Sequence, residues 1–273
     1  MCRCVLQRPG NSRLTEMPVN DAPQVAQPIA IDEVGLPINE LFYSIQGEGK
    51  LAGQPSVFLR TSGCNLRCWF CDSYHTSWEP RHRVMSTQEV IEQVLDQHPS
   101  DHVVITGGEP LIHDAITDVI ETLAAHDMHI TVETNGTMRT EAPIDLLSIS
   151  PKLASSTPTV ANSPDTPGTW AQRHEANRID MPVLADLLRR YTYQLKFVIT
   201  DQSDMPEIID LLASLEAAQG GPIAPEDVLL MPEGVTTTQL ERTRRLVASL
   251  AMEHGFRYTP RLHVDLWEDA PGR

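Results

Sequence analysis

The sequence predicts an α/β fold: a partial (β/α)6-type barrel whose parallel strands are covered by helices. Three observations predict it. From residue 38 onward, short apolar runs alternate with helical periodicities in about six repeats, the pattern of strand–helix units. The runs are apolar throughout, as in strands buried on both faces. No G-x-G-x-x-G follows a strand, which argues against a flat dinucleotide-binding sheet.

The elements follow in order. Residues 56–60 (SVFLR) read as the first buried strand. Ser86 and Glu89 form a capping box, whose hydroxyl and carboxylate satisfy the first free N–H groups of a helix. That helix carries Val90, Ile91, Val94 and Leu95 on one face. Residues 102–106 (HVVIT) form the next strand, and a helix over 114–126 turns Ile116, Val119, Ile120 and Leu123 inward. Residues 129–134 (HITVET) and 146–150 (LLSIS) are further strands. A helix near 182–190 leads into a strand over 193–200 (YQLKFVIT). Ile208, Ile209, Leu211, Leu212 and Leu215 mark another apolar helix face, and 227–231 (DVLLM) is a strand. Thr238 and Glu241 form a second capping box, and Gly255 stops that helix. The segment near 257–266 is strand-like.

Two stretches stand apart. Residues 1–30, with scattered Pro and Asn and no hydrophobic period, are expected to be a disordered leader carrying Cys2 and Cys4. Residues 31–273 are expected to form a single domain. Within it, 154–177 is rich in Ser, Thr and Pro, which predicts a long loop, functional or disordered.

Composition narrows the function. The chain has 273 residues, 41% of them apolar and 21% charged, enough for a sizeable core. Its 21 basic residues face 37 acidic ones, a net charge of −16. Nucleic-acid binding neutralises phosphates with Lys and Arg, so this chain is a poor candidate for it. No apolar run approaches the roughly 18 residues that span a bilayer. No apolar h-region follows the first basic residues, so the expected location is the cytoplasm. The five cysteines are odd in number and three fall within eight residues. That spacing reads as a metal site in a reducing compartment, not as a disulfide framework.

The triplet is Cys64, Cys68 and Cys71, a C-x3-C-x2-C run after the first strand. Three thiolates on one loop can hold three corners of a cuboidal iron–sulfur cluster. A four-iron cluster would then keep one iron open to a small molecule. The competing reading is a Cys3His zinc site completed by His75. Structural zinc usually takes two separated ligand pairs, and no second pair exists. Thr106, Gly107, Gly108, Glu109 and Pro110 sit at the end of the second core strand, where barrels carry active sites. The paired glycines would let a ligand approach and leave strand-edge N–H and C=O groups free for it. Taken alone, they also fit a β-turn.

Together the triplet and the Gly-Gly-Glu-Pro run resemble the radical S-adenosylmethionine enzymes. A closer similarity, over roughly 38–266, is to the 7-carboxy-7-deazaguanine synthase family. It rests on 42–49 (FYSIQGEG), Gly53, Pro55, 58–60 (FLR), 63–66 (GCNL) and 71–73 (CDS). Residues 133–136 (ETNG), 150–152 (SPK) and 195–198 (LKFV) agree.

The resemblance implies a carbon–nitrogen lyase. Its substrate would be 6-carboxy-5,6,7,8-tetrahydropterin, contracted to 7-carboxy-7-deazaguanine with loss of ammonia, in queuosine and deazapurine biosynthesis. A 5′-deoxyadenosyl radical would abstract the hydrogen, no side chain acting as acid or base, with S-adenosylmethionine regenerated. Cys64, Cys68 and Cys71 would hold a [4Fe-4S] cluster. Phe70, Cys71, Asp72, Gly108, Glu133, Ser150, Pro151 and Lys152 would form the S-adenosylmethionine site. Ile45, Gln46, Gly47, Glu48, Arg60, Thr106 and His263 would form the substrate site. A carboxylate and an amide match a guanine-like edge, and Arg60 suits the substrate carboxylate. Ser73 stands where the family carries a magnesium-binding Thr; its hydroxyl keeps Mg2+ binding possible. Lys196 is either a site residue or a structural ion-pair partner, and Met231 is expected in the core. The resemblance also implies a homodimer and a flavodoxin- or ferredoxin-type electron donor. The alternatives are an activating enzyme that acts on a protein partner, and a zinc-stapled binding module.

Overall fold

Nine strands form one sheet in the order β3-β1-β2-β4-β5-β6-β7-β8-β9. The structure, a computed structural model, describes residues 35–97, 100–163, 168–268, 270 and 272. The expected leader with Cys2 and Cys4, and residues 164–167 of the Ser/Thr/Pro-rich stretch, lie outside the described residues. The strands are β1 (Gly35–Ile45), β2 (Pro55–Thr61), β3 (Arg83–Ser86), β4 (His102–Gly107), β5 (His129–Thr134), β6 (Leu146–Ile149), β7 (Tyr193–Ile199), β8 (Val228–Pro232) and β9 (Arg257–Tyr258). The helices are α1 (Tyr74–Ser77), α2 (Thr87–Gln97), α3 (Ile116–Ala125), α4 (Gly168–Asn177), α5 (Met181–Arg190), α6 (Met205–Gln219), α7 (Thr237–His254) and α8 (Leu262–Trp267).

Strands β2 and β4 to β9 run parallel, while β1 pairs antiparallel with both β2 and β3. Strand pairing leaves the sheet open, with β3 and β9 as its edges. The segment after β1 bridges the gap. Gly49 N–H donates to Thr259 Oγ1 at 2.6 Å and Lys50 N–H to Gln194 Oε1 at 2.8 Å. Leu262 N–H donates to Gly47 O at 2.9 Å. The predicted partial barrel is therefore present, closed by a loop in place of a strand.

Side-chain alternation divides the two faces of the sheet. Leu59, Ile105, Val132, Leu195 and Phe197 are fully buried in the core with Val90, Val119, Leu187, Ile208 and Val247 of the helices. Between them on the strands lie Arg60, Thr106, Glu133 and Lys196. Register sets Arg60 beside Thr106 and Glu133 beside Ser148. Thr106 and Glu133 are hydrogen-bonded at 2.8 Å, as are Gln194 and Ser148 at 2.8 Å. These polar residues share the interior face.

Several expectations need correction. The antiparallel β1 and β3 were not foreseen, so the predicted first strand is β2, the first of the parallel set. The Ser86–Glu89 box is present, but Leu95 points outward at 38% exposure, as does Ile209 at 40%. The second box is formed by Thr236 and Gln239, two residues before the expected pair. Gly255 does end that helix, with φ 70°. The strand-like segment near 257–266 holds only the two residues of β9, followed by α8. The expected loop over 154–177 contains the helix α4.

Candidate active site

A cavity of about 420 Å³ opens at the C-terminal ends of the parallel strands. It gathers Ile45, Gln46, Gly47, Glu48, Arg60, Cys64, Cys68, Phe70, Cys71, Asp72, Ser73, Thr106, Gly108, Glu133, Ser150, Lys152 and His263. Of the sequence-predicted site residues only Pro151, which is buried, does not line it. Met231, expected in the core, is both buried and part of the lining.

One wall carries the thiols. Cys64, Cys68 and Cys71 are free, on the loop between β2 and α1. Burial pushes Cys64 up to about 11 and Cys68 up to about 12, and it raises Cys71 as well. Each of these thiols feels the charge of at least one of the others or of Asp72. Leu66 N–H points at Cys64 Sγ (3.4 Å), and Cys71 Sγ lies 3.1 Å from Ser77 Oγ. Such a triplet stays protonated until positive charge arrives, which is what a thiolate-ligated cluster supplies. The donor set fits an iron–sulfur cluster.

The Gly-Gly-Glu-Pro turn supports this loop. A Cβ on Gly108 would lie 2.1 Å from Gly63 O and 2.8 Å from Cys64 Cβ. Only glycine allows that approach. Its N–H donates to Thr61 O at 3.3 Å and Glu109 N–H donates to Gly63 O at 2.9 Å. The expectation that these N–H groups are free is therefore corrected: they tie two strand ends together. Glu109 is fully buried and accepts from Leu111 N–H, Thr134 Oγ1 and Asn135 N–H. Burial outweighs those bonds and lifts its pKa to about 7.

The opposite wall is charged. Glu48 pairs with Lys196 and accepts from Arg261 Nε at 3.0 Å. Burial alone would push Glu48 up, but Lys196 and Arg261 outweigh it and hold the carboxylate ionised well below its usual range. Lys196 Nζ is also 3.9 Å from Glu133. Gln46 Nε2 donates to Glu133 Oε1 at 3.1 Å. Arg261 continues to Asp72, next to Cys71, and to Gly234 O. Glu133, expected on the cofactor side, thus lies among Gln46, Thr106 and Lys196. His263, on α8, is 4.0 Å from Glu48. A Cβ on Gly47 would fall 1.9 Å from its ring, so a larger residue there would push His263 aside.

Arg60 and Ser73 join the walls. Arg60 Nη1 donates to Ser73 Oγ at 3.0 Å, and Ser73 donates to Asp72 Oδ1 at 3.2 Å. Arg60 also lies 5.8 Å from the centre of the Phe42 ring and 3.4 Å from Glu40. Lys152 donates to Ser150 Oγ at 2.7 Å. Among the described residues no three His, Cys, Asp or Glu side chains converge on a single metal ion; the three thiols need not, since each would hold a different iron of a cluster. A magnesium ion here would take Ser73 plus water and substrate oxygens, a mixture that suits it. Lys196 proves to line the site, and Arg261 was missed. The available signal was the buried Glu48, which needs cations.

Thiol triplet, glycine turn and strand-end cavity together define a radical S-adenosylmethionine enzyme. Residues 58–156 match the model of the radical SAM superfamily. The chain is 60% identical over 255 residues to a 7-carboxy-7-deazaguanine synthase of Halobacterium salinarum, covering 93% of this chain and 99% of that one. It is 40% identical to that of Rhodopirellula baltica, over 85% and 86% of the two chains. The chain belongs to the 7-carboxy-7-deazaguanine synthase family. The crystal structure of QueE from Escherichia coli shares its fold, with a TM-score of 0.59, 23% identity, and coverage of 85% of this chain and 96% of that one. No helix among the described residues is long and apolar enough to cross a membrane.

Proposed function

We propose that the cavity contracts 6-carboxy-5,6,7,8-tetrahydropterin to 7-carboxy-7-deazaguanine with loss of ammonia. The observation that carries this reading is the juxtaposition of a thiol wall and a charged wall bearing Gln46, Glu48 and Lys196 across one cavity. Cys64, Cys68 and Cys71 hold the cluster. When bound, the [4Fe-4S] cluster and S-adenosylmethionine supply the one-electron chemistry. Phe70, Asp72, Gly108, Ser150 and Lys152 flank the S-adenosylmethionine site.

The remaining residues bind and orient the pterin. Glu48 offers an acceptor-only carboxylate and Gln46 an amide, complementary to the amino and amide edge of a pterin. Lys196 keeps Glu48 ionised, so that edge always meets an acceptor. Arg60 pairs its planar guanidinium with the substrate carboxylate. Ser73, beside Arg60, would offer its hydroxyl oxygen to a Mg2+ ion, which would supply Lewis-acid stabilisation of charge on the substrate. His263 and Thr106 bound the pocket. Residues 31–273 work as one domain, a reading from chain length, in the cytoplasm, a reading from composition; the active form is a homodimer, by the family resemblance, reduced by a flavodoxin or ferredoxin. Neither a protein-activating enzyme nor a zinc module accounts for the Gln46–Glu48–Arg60 arrangement.

Steady-state kinetics test the roles. Arg60→Lys loses the bidentate bond and raises the pterin KM about 10- to 100-fold, at about 1.4 kcal/mol per decade, with kcat less affected. Ser73→Ala weakens the response to Mg2+, and Ser73→Thr retains it. An unchanged KM in Arg60→Lys would remove Arg60 from the substrate site.

A further inference from the structure

The helix α4 lies in a stretch expected to be loop, and the reaction gives it no task. Its buried residue is His174, 0% exposed, on a helix that buries no other side chain. His174 Nδ1 accepts from the backbone N–H of Arg67 at 3.1 Å. A backbone N–H can only donate, so in the neutral ring Nε2 carries the proton. Nε2 then donates to Ser156 Oγ at 2.8 Å, and the Ser156 hydroxyl donates to Leu153 O at 2.6 Å. Every member of this chain is satisfied.

The same stretch grips the loop a second time. Trp69 N–H donates to Ser156 O at 3.1 Å, and its indole N–H donates to Ser155 O at 2.7 Å. The Arg67 guanidinium lies 4.1 Å from the centre of the Trp170 ring, on α4. Arg67 and Trp69 are the two neighbours of Cys68. Both sides of the central thiol are therefore fixed from outside the loop.

We infer that His174 is a positioning residue for the cluster loop: with Ser156 it braces the backbone around Cys68 so that the three thiols are presented together. This rests on the reading that Cys64, Cys68 and Cys71 hold the cluster. Groups that orient metal ligands typically change metal retention by about 10- to 100-fold when removed. A loop left unbraced must lose its backbone freedom during loading, which opposes assembly.

Three variants separate the brace from simple packing. In His174→Asn the side-chain oxygen reaches where Nδ1 stood and keeps the Arg67 bond. In His174→Gln the amide reaches toward Ser156 instead. His174→Phe keeps only the bulk. Each is reconstituted anaerobically with iron and sulfide, and iron release to a chelator is followed by cluster absorbance. His174→Phe and His174→Gln are expected to release iron about ten-fold faster than wild type. His174→Asn, though smallest, is expected within about three-fold of wild type. Packing alone would give the opposite order. Trp69→Phe, which loses the indole N–H bond and part of the ring, provides a milder probe with the melting temperature of the metal-free protein little changed and release several-fold faster. Retention by His174→Phe equal to wild type overturns the brace alone. Wild-type protein that takes up no iron and sulfide overturns the cluster reading and the brace with it.

Discussion

The two walls of the cavity answer burial in opposite ways. On the thiol wall desolvation wins over the Leu66 N–H and Arg67 beside Cys64 and over Lys152 near Cys68, and the two thiols are driven up to about 11 and about 12. On the charged wall Glu48 is equally enclosed, yet Lys196 and Arg261 keep it ionised. A buried charge needs a partner. The charged wall carries its partners in its own sequence, whereas the thiol wall gains them from a bound cluster. Glu109 marks the middle case: three hydrogen bonds and a weaker pull from Lys152, with no ion pair, leave it near 7.

Breaking the thiol wall has the largest expected effect. Cys68→Ala removes one cluster corner and is expected to abolish both iron–sulfide uptake and turnover, checked by metal analysis and product assay. The fold should persist, because the metal-free wall is already uncharged. A large fall in the melting temperature of the metal-free variant would contradict that half of the comparison.

Breaking the charged wall should act on stability as well as on binding. Lys196→Met leaves Glu48 and Glu133 facing each other with less positive charge between them. Removing one partner of a buried pair costs about 3–5 kcal/mol, or roughly 10 °C in melting temperature for a chain of this size. The pterin KM should rise too. An unchanged melting curve would show that Lys196 adds nothing to the wall.

Glu109 gives the smallest effect. Its folded pKa lies above the ordinary 4.5, so its protonated form is favoured by folding. Its contribution is complete below about pH 4.5 and lost as pH rises through about 7. The window is worth at most about 3–4 kcal/mol, at about 1.4 kcal/mol per unit. Glu109→Gln does not titrate. The stability difference between the two proteins should therefore change between pH 5 and 8, measured by denaturant unfolding. A constant difference would mean that Glu109 is ionised throughout.

The same contrast explains what was legible in the sequence. The thiol wall is local: three cysteines in eight residues, with a glycine turn one strand later. The charged wall is assembled over distance. Glu48 meets Lys196 across 148 residues and Arg261 across 213, and no spacing rule connects them. The central strands were legible because residues 103–105 and 130–132 are all β-branched and strand-forming. Helix α4 was not, because its sequence GTWAQRHEAN has no apolar stripe and buries only His174. The second capping box was misplaced because three threonines run together and Gln serves at the third position as well as Glu. The short β9 turned into α8 where a strand pattern seemed to continue, because the helix faces the cavity with Val264 and His263.

The central claim is that both walls serve one ring contraction. The direct test is to reconstitute the protein anaerobically with iron and sulfide. It is then incubated with S-adenosylmethionine, dithionite, Mg2+ and 6-carboxytetrahydropterin, and the products are read by mass spectrometry. The expected result is a ring-contracted product that has lost ammonia, formed by wild type and absent from Cys68→Ala. Cleavage of S-adenosylmethionine with the pterin left intact would contradict the claim, because the thiol wall would then work without the charged wall reading this substrate.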